Sequence, residues 1–183
     1  MRKLKSKSTD FFILTMNREM YHEIEKFIDA SCCVKFSFLD LGKRAAGFST
    51  PNECVVSTSI FQLPLEYMLY ILLHEVSHQY QYKKYGKNLC LDIYKSEISL
   101  DEAVSKLLHI ESVADRLALA KMKFILKTCN VPLQIDPIPR YLGNTNYEYF
   151  KKYISDIREN VNLLNLETIE EINAYIYASI IDN

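Results

Sequence analysis

Residues 72–80 read LLHEVSHQY, an apolar run that carries two histidines and a glutamate in its middle. They belong to residues 64–86, where dense apolar side chains, an opening proline and a closing glycine predict one long, largely buried helix. Side chains four residues apart lie on one face of a helix, so His74 and His78 can converge on a single point. Burying such titratable groups without a partner is costly. A shared metal ion would offset that cost.

The two histidines are typical of one half of a zinc site. In H-E-x-x-H hydrolases the glutamate after the first histidine is a general base that does not bind the metal, so Glu75 is the predicted catalytic residue. A hydrolytic zinc site usually has three protein ligands, which predicts a third ligand elsewhere in the chain. The metzincin continuation beyond His78 is excluded, because Gln81 and Lys84 stand where it needs glycine and histidine.

A second predicted helix carries a candidate for the third ligand. Residues 99–130 predict this helix, because Ser99 and Glu102 match a capping box and apolar residues recur at intervals of three and four. The helix carries Glu111 and, four residues later on the same face, Asp115. We expect Glu111 to bind the metal. We expect Asp115 to accept the free ring N–H of one ligand histidine, which fixes the tautomer of that ring.

Three other side chains compete with Glu111 for the place of third ligand. Glu102 is better explained as a helix cap, and Glu97 falls in an irregular stretch. His109 lies two residues from Glu111 and therefore on another face of the helix, so the two cannot both point at one ion. A single histidine on an apolar helix is more often a hydrogen-bonded core residue than a ligand. Two histidines at this spacing, with carboxylates on the next helix, favour the metal.

H-E-x-x-H followed by E-x-x-x-D resembles the gluzincin metallopeptidases, and the short chain is more similar to their compact ImmA/IrrE-type branch than to the large two-domain enzymes. The resemblance covers residues 54–119, although Val76 and Ser77 replace the Gly or Ala often found between the glutamate and the second histidine. It implies a zinc-dependent enzyme that hydrolyses peptide bonds through a metal-bound water activated by Glu75. It also implies that residues 54–60, CVVSTSI, form an edge strand that pairs with an extended peptide or protein substrate.

Gluzincins often stabilise the oxyanion of the reaction with a tyrosine or histidine from a downstream segment. Five tyrosines near the predicted site are candidates for that role: Tyr80, Tyr82, Tyr85, Tyr141 and Tyr147. Each of them alone is better explained by aromatic packing with a solvated hydroxyl. The sequence singles out none of them.

Two other functions stay open at the level of sequence. The chain could be a non-catalytic regulatory or protein-binding module that keeps the metallopeptidase scaffold and contacts a partner through its C-terminal helices. It could also be a structural helical domain without metal. The oligomeric state is open in all three interpretations.

The N-terminal part of the chain predicts a small sheet. A short strand at residues 11–14 and a helix over residues 17–30 come first. Alternating apolar residues predict a strand over residues 34–38, residues 41–47 are typical of a turn, and β-branched residues predict a strand over residues 53–60. We expect an antiparallel sheet packed on a zincin-like pair of active-site helices.

The C-terminal part predicts more helix. Three prolines within residues 131–140 require an extended or turning segment, and helical patterns follow over residues 146–164 and 166–180. The fold class is therefore α+β and mostly helical. We expect one metallopeptidase-like domain over residues 1–183, with a C-terminal helical part at residues 141–183.

The composition limits the partners and the cellular location that the sequence allows. A net charge of -1 and a pI near 6.4 give no electrostatic reason to expect nucleic acid as a partner. The apolar run at residues 11–14 is too short for a signal peptide, and no segment is apolar for long enough to span a bilayer, so we expect a cytoplasmic protein. Five cysteines without a C-x-x-C pair predict reduced thiols. Few glycines beside many Lys, Ile, Asn and Tyr residues fit the AT-rich genome of a phage, another mobile element or a bacterial host.

Overall fold

The computed structural model describes residues 18–31, 35–42, 45–137 and 147–181. Within these ranges the chain forms six helices and a small three-stranded sheet, which confirms a mostly helical α+β structure. The elements in chain order are α1 (Arg18–Ser31), β1 (Phe36–Leu39), β2 (Gly47–Ser49), β3 (Cys54–Ser57), a 3-10 helix (Thr58–Gln62), α2 (Leu65–Tyr85), α3 (Leu91–Tyr94), α4 (Leu100–Thr128), α5 (Tyr147–Leu163) and α6 (Ile169–Ile181). The predicted strand at residues 11–14 lies outside the described residues.

The two long helices, α2 and α4, begin and end close to where the sequence predicts. α2 follows Pro64 and stops at Gly86, which has a φ of 96° and donates its N–H to the Tyr82 carbonyl. Glycine adopts this backbone conformation without the steric penalty that other residues meet. α4 starts after Ser99, whose hydroxyl accepts the N–H of Glu102. The two helices pack along each other and bring their polar motifs together.

Local capping explains where the last helix begins. α6 starts later than the predicted residue 166, because Thr168 and Glu171 cap it reciprocally. The N–H of Glu171 donates to the Thr168 hydroxyl at 3.2 Å, and the N–H of Thr168 donates to the Glu171 carboxylate at 2.9 Å. The proline-rich segment is irregular over residues 131–137, as predicted, and its remaining residues 138–140 lie outside the described ranges.

The sheet is mixed rather than antiparallel, so this part of the prediction is wrong. β3 lies in the centre, parallel to β1 and antiparallel to β2. The three-residue strand β2 begins at the end of the segment interpreted as a turn and takes one edge of the sheet. All four residues of β3 are buried, as expected of a strand with neighbours on both sides.

The central position of β3 also corrects the predicted substrate edge. Residues 54–60 do not form an edge strand. The strand ends at Ser57, where the Ser57 hydroxyl accepts the N–H of Ser59 and caps the 3-10 helix. The sheet edge that faces the motif helix α2 is β2.

Two apolar clusters share α4. The first, called here the sheet-side cluster, joins α1, β1, β3, α2 and the second half of α4. The second, the C-terminal cluster, joins α3, the first half of α4, α5 and α6. Residues 103–110 of α4 supply the C-terminal cluster and residues 118–126 the sheet-side cluster. Glu111 and Asp115 lie at the changeover between them.

Three of the five cysteines fall within the described ranges. Cys54, Cys90 and Cys129 are buried thiols there. Cys32 and Cys33 lie outside those ranges. Among the described helices, none combines the length and the hydropathy that a membrane span requires.

Candidate metal centre

The structure brings His74, His78 and Glu111 together between α2 and α4. The Nε2 atoms of the two histidines are 3.1 Å apart. Glu111 Oε2 lies 3.2 Å from His74 Nε2 and 3.3 Å from His78 Nε2. The three side chains are only 9%, 12% and 15% exposed, in that order. One turn of α2 and one side chain of α4 thus suffice to build the cluster.

The spacing of the three donor atoms fits a tetrahedral metal ion. Zinc bonds to nitrogen and oxygen at about 2.0–2.1 Å, which places neighbouring tetrahedral donors about 3.3–3.4 Å apart. The observed triangle has edges of 3.1 to 3.3 Å. The group could therefore hold a metal ion. Other divalent transition metals accept the same nitrogen and oxygen donors, so the donors alone do not select zinc.

A carboxylate fixes the orientation of the first histidine. His74 Nδ1 donates to Asp115 Oδ1 at 2.8 Å, and the Tyr70 hydroxyl donates to the same oxygen. Asp115 is fully buried. Because Asp115 accepts the Nδ1 proton, Nε2 is the nitrogen of His74 that can bind a metal ion once its own proton has left. Tyr70 was not anticipated from the sequence, although it lies four residues before His74 on the same helix.

An amide fixes the second histidine, and sequence reasoning missed it. His78 Nδ1 donates to Gln81 Oε1 at 2.8 Å, and Gln81 Nε2 donates to the Ile110 carbonyl at 2.8 Å. Because the Gln81 amide nitrogen must donate to the Ile110 carbonyl, the amide oxygen is the end that faces His78. The spacing of three residues from His78 was the available signal, because such residues are neighbours on a helix. In the sequence, Gln81 had drawn attention only because it stands where metzincins have glycine.

The charges within the cluster stabilise one another in the metal-free protein. Burial favours the neutral His74 ring, but hydrogen bonds to Asp115 and Glu111 outweigh it and raise the pKa of His74 to about 10. Burial likewise opposes ionisation of Glu111, but the neighbouring His78 and His74 hold the pKa of Glu111 well below its usual range. Protons on the imidazoles would therefore compete with a metal ion for the same nitrogen atoms.

We expect zinc binding to release protons and to weaken as the pH falls. The pKa of His74 in the metal-free fold lies above its usual 6.5, so the His74 ion pairs stabilise that fold fully below about pH 6.5 and are lost as the pH rises through about 10. Each proton displaced makes zinc affinity rise by about tenfold per pH unit. Competition with a chromophoric chelator at pH 6, 7 and 8 measures this slope.

The matched control for that titration is His22→Ala, because His22 is an exposed histidine of α1. This variant should keep the slope of the parent protein. An affinity that does not change between pH 6 and pH 8 would contradict the competition between protons and the metal ion.

Glu75 lies beside the metal cluster without belonging to it. It follows His74 on α2, is 8% exposed, and is not one of the three side chains whose donor atoms converge. Its side chain packs against Gly47 of the edge strand β2. A carboxylate beside a group of ligands but outside it is the arrangement that a general base needs.

A cavity of about 350 Å³ adjoins the cluster and Glu75. Its walls come from β2, α2, α4, α5 and α6 and from the segment around α3. Apart from Glu75 and the three converging side chains, the described residues that line it are uncharged. Burial raises the pKa of Cys90 to about 12 and holds the pKa of Tyr82, Tyr94 and Tyr153 above the usual value. These groups stay protonated at neutral pH.

The five candidate tyrosines differ in whether they line the cavity. Tyr82 lines the cavity, whereas Tyr80 and Tyr85 are exposed. Tyr147 donates its hydroxyl to Asp101 at 2.7 Å and is not part of the lining. Tyr141 lies outside the described residues. The phenols of α3 and α5 that line the cavity were not among the candidates: Tyr94, Tyr149 and Tyr153.

The rival ligands stay away from the cluster. Glu97, Glu102 and His109 are exposed, and none joins the three converging side chains. Glu102 acts at the start of α4, where its N–H is capped by Ser99. The helix-face argument against His109 agrees with this placement.

Comparisons of the chain with protein-family models, with curated proteins and with solved structures return no match.

Proposed function

We propose that the protein is a zinc-dependent metallopeptidase of the gluzincin type, with His74, His78 and Glu111 as metal ligands and Glu75 as general base. The observation that carries the proposal is the triangle of two imidazole nitrogens and one carboxylate oxygen with a second, non-ligating carboxylate beside it. Structural zinc sites are usually closed by four protein ligands, whereas three ligands and a nearby base are typical of hydrolytic sites.

Each side chain has a defined part in this reaction. When bound, zinc would polarise the scissile carbonyl and the attacking water. Glu75 accepts a proton from that water and delivers it to the leaving amine. Asp115 and Gln81 hold the two imidazoles so that Nε2 faces the ion.

The edge strand β2 supports a peptide as substrate. β2 pairs with β3 on one side only, among the described strands, and borders the cavity next to Glu75. An extended peptide could add to this edge through main-chain hydrogen bonds, which recognise the backbone rather than a particular side chain. Peptide pairing, expected from the sequence for residues 54–60, is therefore proposed for Gly47–Ser49 instead.

Zinc content and proteolysis test the proposal together. Purified protein should contain about one zinc per chain and cleave a reduced, unfolded protein into fragments that mass spectrometry identifies. A chelator should stop the cleavage, and added zinc should restore it. Full zinc content without cleavage of any unfolded protein or peptide library would favour the non-catalytic binding module.

A further inference from the structure

Gly47 has no room for a side chain, and the obstacle is Glu75. A Cβ atom on Gly47 would lie 2.4 Å from Glu75 Cγ and 2.7 Å from both Cδ and Oε1. Among the glycines that the structure describes, Gly42 and Gly86 have positive φ and Gly47 does not. Any residue could adopt its backbone conformation. The side chain of Glu75, and not the backbone conformation, requires glycine here.

The strand that carries Gly47 is braced against α2. Gln79 Nε2 lies 2.7 Å from Ser49 Oγ, 2.6 Å from the Thr50 carbonyl and 3.0 Å from the Glu53 carbonyl. The Ser49 hydroxyl donates to the Glu75 carbonyl at 3.2 Å. Gln79 is buried and lies one helical turn beyond Glu75, so one face of α2 presents both the brace and the general base.

Pairing within the sheet adds to this brace. Gly47, Phe48 and Ser49 lie opposite Val56, Val55 and Cys54 of the central strand. The Tyr82 hydroxyl also donates to the Ser49 carbonyl at 3.3 Å. Moving β2 away from α2 would break several buried or partly buried hydrogen bonds at once, which costs more than turning one side chain about its single bonds.

We propose that Gly47 is a positioning residue for the general base: its bare Cα, fixed by the Gln79 brace, sets where the Glu75 carboxylate lies beside the metal cluster. The inference rests on the proposed function, because it assigns a role to Gly47 through the role of Glu75. A methyl group at position 47 displaces the carboxylate towards the cavity, which offers space. The three atoms nearest to the added Cβ all belong to Glu75, so we expect the metal ligands to keep their places.

A double-mutant cycle on stability tests the contact without any assay of activity. Gly47→Ala should lower the denaturation midpoint in the parent protein. In the Glu75→Ala background the three obstructing atoms are gone, so the same change should leave the midpoint unchanged or raise it. Equal losses in both backgrounds would overturn the proposal. If Gly47→Ala alone does not fold, folding of the double variant supports the contact and failure of both overturns it.

Kinetics test the positioning itself. Gly47→Ala should keep the zinc content and lower kcat by about 10- to 100-fold with little change in KM, because a displacement of about 1 Å in a reacting group has effects of this size. Gly42→Ala is the matched control, since Gly42 has a φ of 61° and open space around it, so alanine strains the backbone away from the site. Its kcat should stay at the parent value.

The possible results distinguish a failure of the positioning role of Gly47 from a failure of the proposed peptidase function. Unchanged kcat in Gly47→Ala, or an equal loss in Gly42→Ala, would overturn the positioning role while leaving the peptidase intact. A parent protein that binds zinc and cleaves nothing would overturn the proposed function. In that case the stability cycle still decides whether Gly47 places the Glu75 side chain.

Discussion

Glu75→Gln should retain its zinc and lose peptide cleavage, with kcat lower by about 10²- to 10⁴-fold. The amide of glutamine has nearly the shape of the carboxylate, so it fits against Gly47 and leaves the fold undisturbed. It cannot accept a proton from the attacking water at neutral pH. Zinc content by mass spectrometry and initial rates on a cleaved peptide measure the two effects separately.

The control for this substitution is Glu97→Gln, which makes the same chemical change at an exposed position away from the cluster. It should match the parent protein in zinc content and in rate. Undiminished turnover in Glu75→Gln would rule out the general-base role, whatever the metal content. Loss of zinc in that variant would instead indicate that Glu75 helps to hold the ion.

Glu111→Ala should lose both the metal and the stabilisation that the metal provides. The two imidazoles remain, but removal of Oε2, which lies 3.2 and 3.3 Å from their Nε2 atoms, takes away the only ligand from α4. A ligand present at about 1,000 times its dissociation constant stabilises a fold by about 4 kcal/mol. For a chain of this size, that corresponds to a melting temperature on the order of 10 °C higher with zinc than with chelator.

That difference should appear in the parent protein and vanish in Glu111→Ala. His109→Ala is the matched control, because His109 is the rival ligand on the same helix and its side chain is exposed. The control should keep both the zinc and the shift. If a chelator leaves the melting temperature of the parent protein unchanged, that result would favour a structural helical domain without metal.

The sequence predicted the metal cluster because its geometry is mostly local. His74 and His78 lie one helical turn apart, and Glu111 and Asp115 do so on the next helix, so helix periodicity alone orients each pair. The chemistry of a three-ligand site then demanded that the two pairs meet. The single-domain assignment and the catalytic role of Glu75 stay predictions.

The parts that were missed depend on tertiary structure. β2 has three residues and no alternation long enough to reveal a strand, so the sense of the sheet and its exposed edge could not be inferred. Gln81 resembles any polar residue of an amphipathic helix until Ile110 is seen beside it. Gly47 looks like a turn glycine, because nothing in the sequence places it against Glu75.

The first half of α4 packs in the C-terminal cluster and the second half in the sheet-side cluster. This division has a consequence for how such a protein can evolve. The histidine-bearing part of α2 is anchored in the sheet-side cluster, whereas much of the cavity wall belongs to the C-terminal cluster: Tyr94, Leu107, Phe150 and Ile176. Substitutions in the C-terminal cluster can reshape the wall while the histidines keep their support. Lineages of this fold could therefore diverge in the shape of the cavity while the cluster of His74, His78 and Glu111 stays the same.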